Sequence, residues 1–207
     1  MSDEPHGRGR PTADQSAQIA ERILDAAWQL LLAEGPERFT LDRIAPLAHA
    51  SKQTIYTRFS GKLDLLQKLL TARIDMLMTE VRRLDESSDI QNAFADLARR
   101  SVQSMLSLEA RQLDRLVDWI DTALDNGNSL VTRVALHAQF RDEMAHLLQR
   151  ASHIWGVMID DIPSAADFWL DGLVGHARGL PLEQLDLGPW PDVHARYFLR
   201  AVSASRA

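Results

Sequence analysis

The chain has 207 residues, of which 45 % are hydrophobic and 25 % charged, a balance that buries a core without staples. A formal charge of −6 argues against a surface coated in nucleic acid, while leaving room for a local basic patch. Zero cysteines exclude disulfides, thiolate metal sites and cysteine nucleophiles together. No run approaches the ~18 apolar residues of a membrane span, and the N-terminus lacks the apolar core of a signal peptide. The reading is a cytoplasmic protein that does not enter a membrane.

Residues 1–17 are rich in Ser, Gly, Pro, Asp, Gln and Arg and have almost nothing to bury, so they read as a disordered basic arm. A helix is expected over Ile19 to Glu34, with Ile23, Ala26/Ala27, Leu30 and Leu31 on the 3.6-residue period and Gly35-Pro36 as its stop. Thr40 caps a short helix, Leu41 to Ala48, and Ser51 caps another carrying Thr54, Ile55, Tyr56 and Phe59. After Gly61-Lys62 a long helix runs to about Leu84. Asp85 to Asp89 reads as a linker. Further helices are expected near 90–106, 108–125, 129–158 with a break near Ala135, 164–180 and 191–203. No strand signal occurs, so the fold class is all-α. The expected domains are a helix-turn-helix unit over 18–62, a linking helix to about 84, and a helical effector-binding and dimerisation domain over 85–207.

Two short helices joined by a tight turn make a helix-turn-helix. Ala45 is small enough for a close helix crossing. Ile55 and Phe59 give the second helix a buried stripe, and Lys52, Gln53, Thr54, Tyr56, Thr57 and Arg58 fall on its other face. Hydrogen-bond donors, an aromatic ring and two cations suit phosphates and major-groove base edges.

These residues resemble the DNA-binding domain of the TetR/AcrR transcriptional regulators. The resemblance rests on the helix Ile19 to Glu34, on Thr40-Leu41-x-x-Ile44-Ala45, on Ser51-Lys52-x-Thr54-Ile55-Tyr56-x-x-Phe59 and on Lys62. It implies a three-helix reading head, a dimeric repressor on a double-stranded DNA operator, and a second domain that lowers DNA affinity when a small molecule binds. It implies phosphate contacts from Thr40 and Lys62, and a capping and backbone role for Ser51. Lys52, Gln53, Thr54, Tyr56 and Thr57 lie where the family contacts DNA. Two departures stand out. His49 occupies a turn position where many members have Gly, and Pro46 inside the first short helix predicts an irregular start to it.

Gly7-Arg8-Gly9-Arg10-Pro11 resembles an AT-hook core, in which Arg8 and Arg10 enter an A·T minor groove. From Arg38 to Lys68 six cations face two anions, a surplus of four, which leaves −10 on the rest of a chain of charge −6.

In the second domain an apolar pocket needs aromatic and aliphatic walls with a few polar anchors. Candidates are Met105, Leu116, Trp119, Ile120 and Phe140, then Met144, Trp155, Phe168, Trp169 and His176. Four of the five Trp follow residue 110, which favours an apolar or aromatic effector. Glu143 and His146 have the spacing of half a helical metal site, but no second half exists, so neither metal nor cofactor is expected. Gly172, Gly175 and Gly179 signal close approach on the penultimate helix. With Phe198 and Leu199 of the last helix they resemble the family's four-helix dimer interface. The absence of a nucleophile elbow, a phosphate loop or a paired His motif argues against an enzyme. A DNA-binding regulator without a small-molecule effector, triggered by a protein or acting as an activator, is the alternative.

Overall fold

The computed structural model describes residues 13–81, 83–124 and 131–203. Among these residues it contains nine α-helices and no strand, apart from an isolated bridge between Ile159 and Ser203. The chain divides into two compact units, one ending at Leu69 and the other starting at Leu70, so the boundary falls inside the fourth helix.

The first unit holds α1 (Ala13–Glu34), α2 (Leu41–Leu47), α3 (Lys52–Arg58) and the start of α4 (Lys62–Val81). α1 begins six residues before the expected Ile19, inside the stretch read as an arm. Its extra segment, Ala-Asp-Gln-Ser-Ala-Gln, is rich in residues that cost a helix little. The helix then buries Ile23, Ala27 and Leu31 completely, following its 3.6-residue period. Gly35, at φ 76°, ends it by donating its N–H to the Leu31 carbonyl at 2.8 Å. Phe39, Ile44, Ile55, Phe59, Leu65 and Leu66 complete this core.

The second unit contains α5 (Ile90–Met105), α6 (Leu108–Ala123), α7 (Val131–Trp155), α8 (Ile162–Arg178) and α9 (Trp190–Val202). α5 packs on α9 and α8, α8 on α7, and α7 on α6. Asp89, Ser107 and Asp161 cap α5, α6 and α8 by accepting from the backbone N–H of Asn92, Ala110 and Ser164. α7 runs unbroken through Ala135 and stops at Trp155, where Gly156 turns out at φ 65°. The carboxylate of Asp121 is buried at the end of α6. It accepts from the N–H of Thr132 at 2.7 Å and of Arg133 at 3.2 Å, at the start of α7. Burial pushes this carboxyl upward, but the bonds from Thr132 and Arg133 outweigh it and hold the group below the usual carboxylate range. The centre of the unit is a ring cluster: Trp169 meets Phe94 edge-on at 5.3 Å and Phe198 at 4.8 Å.

Candidate nucleic-acid interface

The turn between α2 and α3 is built around His49, whose φ of 48° lies in the left-handed region. His supports that conformation better than branched residues do, which explains how the turn closes without Gly. Pro46 sits in the last turn of α2, where its missing N–H costs one bond. The expected irregular start does not occur: α2 begins at Leu41 behind Thr40 in extended conformation. Thr40 is exposed and makes no side-chain capping bond, so its hydroxyl is not spent on the helix.

Ser51 starts α3. Its Oγ accepts from the Thr54 N–H at 3.0 Å and lies 2.8 Å from the Thr54 hydroxyl. Ile55 and Phe59 point inward at 0 % and 3 % exposure, which turns Lys52, Gln53, Tyr56 and Thr57 to solvent. Tyr56 is the most conspicuous of these, an aromatic side chain 56 % exposed. Thr57 donates its hydroxyl proton to the Gln53 carbonyl at 2.7 Å and keeps its oxygen as an acceptor.

Five of the six cations over residues 38–68 have partners inside the chain that the sequence did not disclose. Arg43 forms a two-pronged pair with Glu34 across α2 and α1. Lys52 pairs with Asp42 at 2.8 Å. Arg58 donates to the Ser16 hydroxyl at 2.9 Å, tying the end of α3 to the first turns of α1. Lys68 pairs with Asp64 and lies over the Phe59 ring. Lys62 donates to the Pro36 carbonyl at 2.7 Å and so staples α4 to the loop after α1. Burial lowers the pKa of that ammonium, and the neighbouring Glu37 works against the shift. Glu34, Asp42 and Ser16 are the residues the sequence reading missed. Their signal was present only as charge and hydroxyl groups one helix away. Arg8 and Arg10 lie outside the described residues.

A family model for bacterial regulatory proteins of the tetR family matches residues 23–69, which run from α1 into α4. The likeness to that family lies in the first unit, over residues 23–69, less than a quarter of the chain. SrpR of Pseudomonas putida, a transcriptional regulator, is 39 % identical over 64 residues, which cover 31 % of this chain and 30 % of SrpR. The DNA-binding transcriptional repressor TetR of Mycobacteroides abscessus is 48 % identical over 50 residues, 24 % of this chain and 26 % of that protein. The match thus spans less than a third of either relative. Over the longer chain the likeness is one of fold. A solved structure assigned to the TetR family from Mesorhizobium loti superposes with a TM-score of 0.71 at 20 % identity, covering 91 % of this chain and 98 % of that one. SmeT, repressor of the Stenotrophomonas maltophilia multidrug efflux pump SmeDEF, gives 0.57 at 23 %, covering 90 % and 91 %. Each of these four proteins is described as a transcriptional regulator or a repressor.

The expected effector residues do not gather around one space in the second unit. Leu116, Ile120, Met144 and Trp169 are buried at 1 % exposure or less. Met105, Phe140 and Trp155 pack against the core from its edge, and the Trp155 indole donates to the Ser88 carbonyl at 3.2 Å. Trp119 is half-buried on α6. An open cleft of about 380 Å³ lies elsewhere, between the start of α8 and the end of α9. Ile159, Asp161, Ala165, Val202 and Ser203 are among its walls, and of the ten candidates Phe168 alone lines it. His176 is stacked flat on Trp190 at 3.8 Å, and Trp190 on His194 at 4.6 Å.

The expected dimer residues scatter as well. Phe198 is 1 % exposed in the core of its own chain, and Leu199 packs against that core. Gly172 faces His194 of α9 within the same chain, and Gly179 is the C-cap of α8. Gly175 remains open: beyond its own helix backbone, nothing lies within 4 Å of where a side-chain methyl would sit. Among the described residues no group of three or more His, Asp or Glu is arranged to hold a metal, and no helix is long and apolar enough to cross a membrane.

Proposed function

We propose that this chain is a TetR-family transcriptional repressor that binds an inverted-repeat DNA operator as a dimer and is released by a small apolar or aromatic ligand. The observation that carries the reading is α3. It is capped by Ser51, seated by Ile55 and Phe59, and it presents Lys52, Gln53, Tyr56 and Thr57 to solvent. A helix so presented after a tight turn suits the major groove, with Gln53 a reader of adenine and Lys52 of guanine or phosphate. Thr40, with its hydroxyl uncommitted, suits a phosphate at the edge of the site. Arg8 and Arg10 would add minor-groove contacts beside it. The second unit carries dimerisation and the effector response in this reading. Support for a ligand comes from the neighbour SmeT, which has been solved in complex with triclosan.

One observation favours regulation without a small molecule: Phe94, Trp169 and Phe198 fill the centre of the second unit ring against ring. Both readings share the same first test. Duplexes selected from a random pool by the full chain should converge on an inverted repeat. Gln53→Ala should then change the preferred bases at one position of each half-site, with a discrimination loss of about 1–3 kcal/mol. Equal loss on every duplex would reject Gln53 as a base reader. Release of the selected duplex by members of an aromatic compound library separates the two readings.

A further inference from the structure

We propose that Asp42 acts as a built-in phosphate mimic that occupies Lys52 and thereby sets how tightly the reading head holds DNA of arbitrary sequence. The proposal rests on the DNA-binding reading above. Lys52 is the first residue of α3, and Asp42 lies in the first turn of α2. Their side chains close across the helix-turn-helix, Nζ to Oδ2 at 2.8 Å, with 62 % of Lys52 and 58 % of Asp42 still open to solvent.

An ion pair this exposed contributes little to folding, so stability gives the carboxylate no strong reason to be there. Its consequence for DNA is larger. A backbone phosphate that approaches Lys52 meets an ammonium already neutralised, and a second anion held against it. Neutralising one phosphate with a free cation steepens the logarithmic salt dependence by about 0.9. A Lys that must first leave a carboxylate recovers only part of that gain.

The neighbouring charges do not relieve the competition. Arg43, next in sequence to Asp42, directs both terminal nitrogens of its guanidinium to Glu34. Lys68 pairs with Asp64 of its own helix. Arg58 turns to Ser16, and Lys62 to the Pro36 carbonyl. Lys52 is therefore the ammonium on the exposed face of α3 beside Gln53 and Tyr56, and Asp42 is the carboxylate that meets it there.

The test uses the full chain and a random-sequence duplex, with affinity measured by fluorescence anisotropy across a salt series. Four proteins are compared: wild type, Asp42→Asn, Lys52→Gln and the double variant. Asp42→Asn is expected to bind about 3- to 10-fold tighter at low salt, with a salt slope steeper by a part of the ~0.9 that one phosphate contact carries. In the Lys52→Gln background the same substitution should gain less than about 2-fold, because no ammonium remains to be released. Unchanged or weaker binding by Asp42→Asn, with the wild-type slope, would overturn the proposal, as would a full gain persisting without Lys52. A wild type that shows no salt-dependent DNA binding would remove the DNA-binding reading itself, and the proposal with it.

Discussion

Gly172 and Gly175 lie three residues apart on α8, and the structure assigns them opposite responses to one added methyl group. A Cβ on Gly172 would sit 2.3 Å from Cε1 of His194 and 3.2 Å from both ring nitrogens. Carbon atoms rest at about 3.5–4.0 Å, so the imidazole would have to retreat by about 1.2 Å. The Trp169 ring at 4.7 Å and the Trp190 ring at 4.6 Å restrict that retreat. Overpacking of this kind costs about 1–3 kcal/mol. For a chain of this length a loss of ~2 kcal/mol lowers the melting temperature by about 4–8 °C. Gly175→Ala meets nothing within 4 Å. It should gain about 0.5–1 kcal/mol, since Ala is the better helix former. Thermal melts followed by far-UV circular dichroism at neutral pH measure both. Shifts of the same sign and size in the two variants would refute the claim that His194 is wedged between the helices.

Two more predictions follow from backbone and titration. Burial, with the nearby His176 adding to it, lowers the His194 pKa from 6.5 to about 4. The folded unit therefore prefers neutral imidazole. Its contribution is complete above pH 6.5 and is lost as pH falls towards 4, by at most about 3 kcal/mol. Denaturant titrations between those limits should show this loss in wild type and a flatter profile in His194→Leu; parallel profiles would contradict it. In the head, His49→Gly removes a side chain from φ 48° and should leave stability unchanged or raise it by about 1 kcal/mol. His49→Val at the same position should destabilise by more than that, and a tolerated Val would mean the turn is not held in that region.

The local chemistry of this chain is readable from its residues alone. Helix positions follow from apolar spacing such as Ile23, Ala27 and Leu31, and from a cap such as Ser51, because both act within one or two turns of backbone. The exposed face of α3 was legible for the same reason: burying Ile55 and Phe59 dictates where Lys52, Gln53 and Tyr56 must point. Interactions between helices were not legible. A run of glycines looks the same whether it faces a partner molecule or the chain's own His194, and only the path of α9 assigns Gly172 to the second. A tryptophan-rich stretch reads equally as a pocket wall or as filling, and the contact of Trp169 with Phe94 and Phe198 makes it filling.

Charge shows the difference most clearly. The sequence by itself separates a surplus of four positive charges over residues 38–68 from an overall −6. That surplus does depend only on composition. Which cations remain available to an incoming phosphate depends on side chains brought together from α1, α2, α3 and α4. Arg43 on Glu34, Lys52 on Asp42 and Lys62 on the Pro36 carbonyl are contacts between residues 9, 10 and 26 positions apart. Coulomb attraction acts through space over a few ångströms. The fold, rather than the order of residues, therefore decides how much of the basic surplus stays open to an incoming anion.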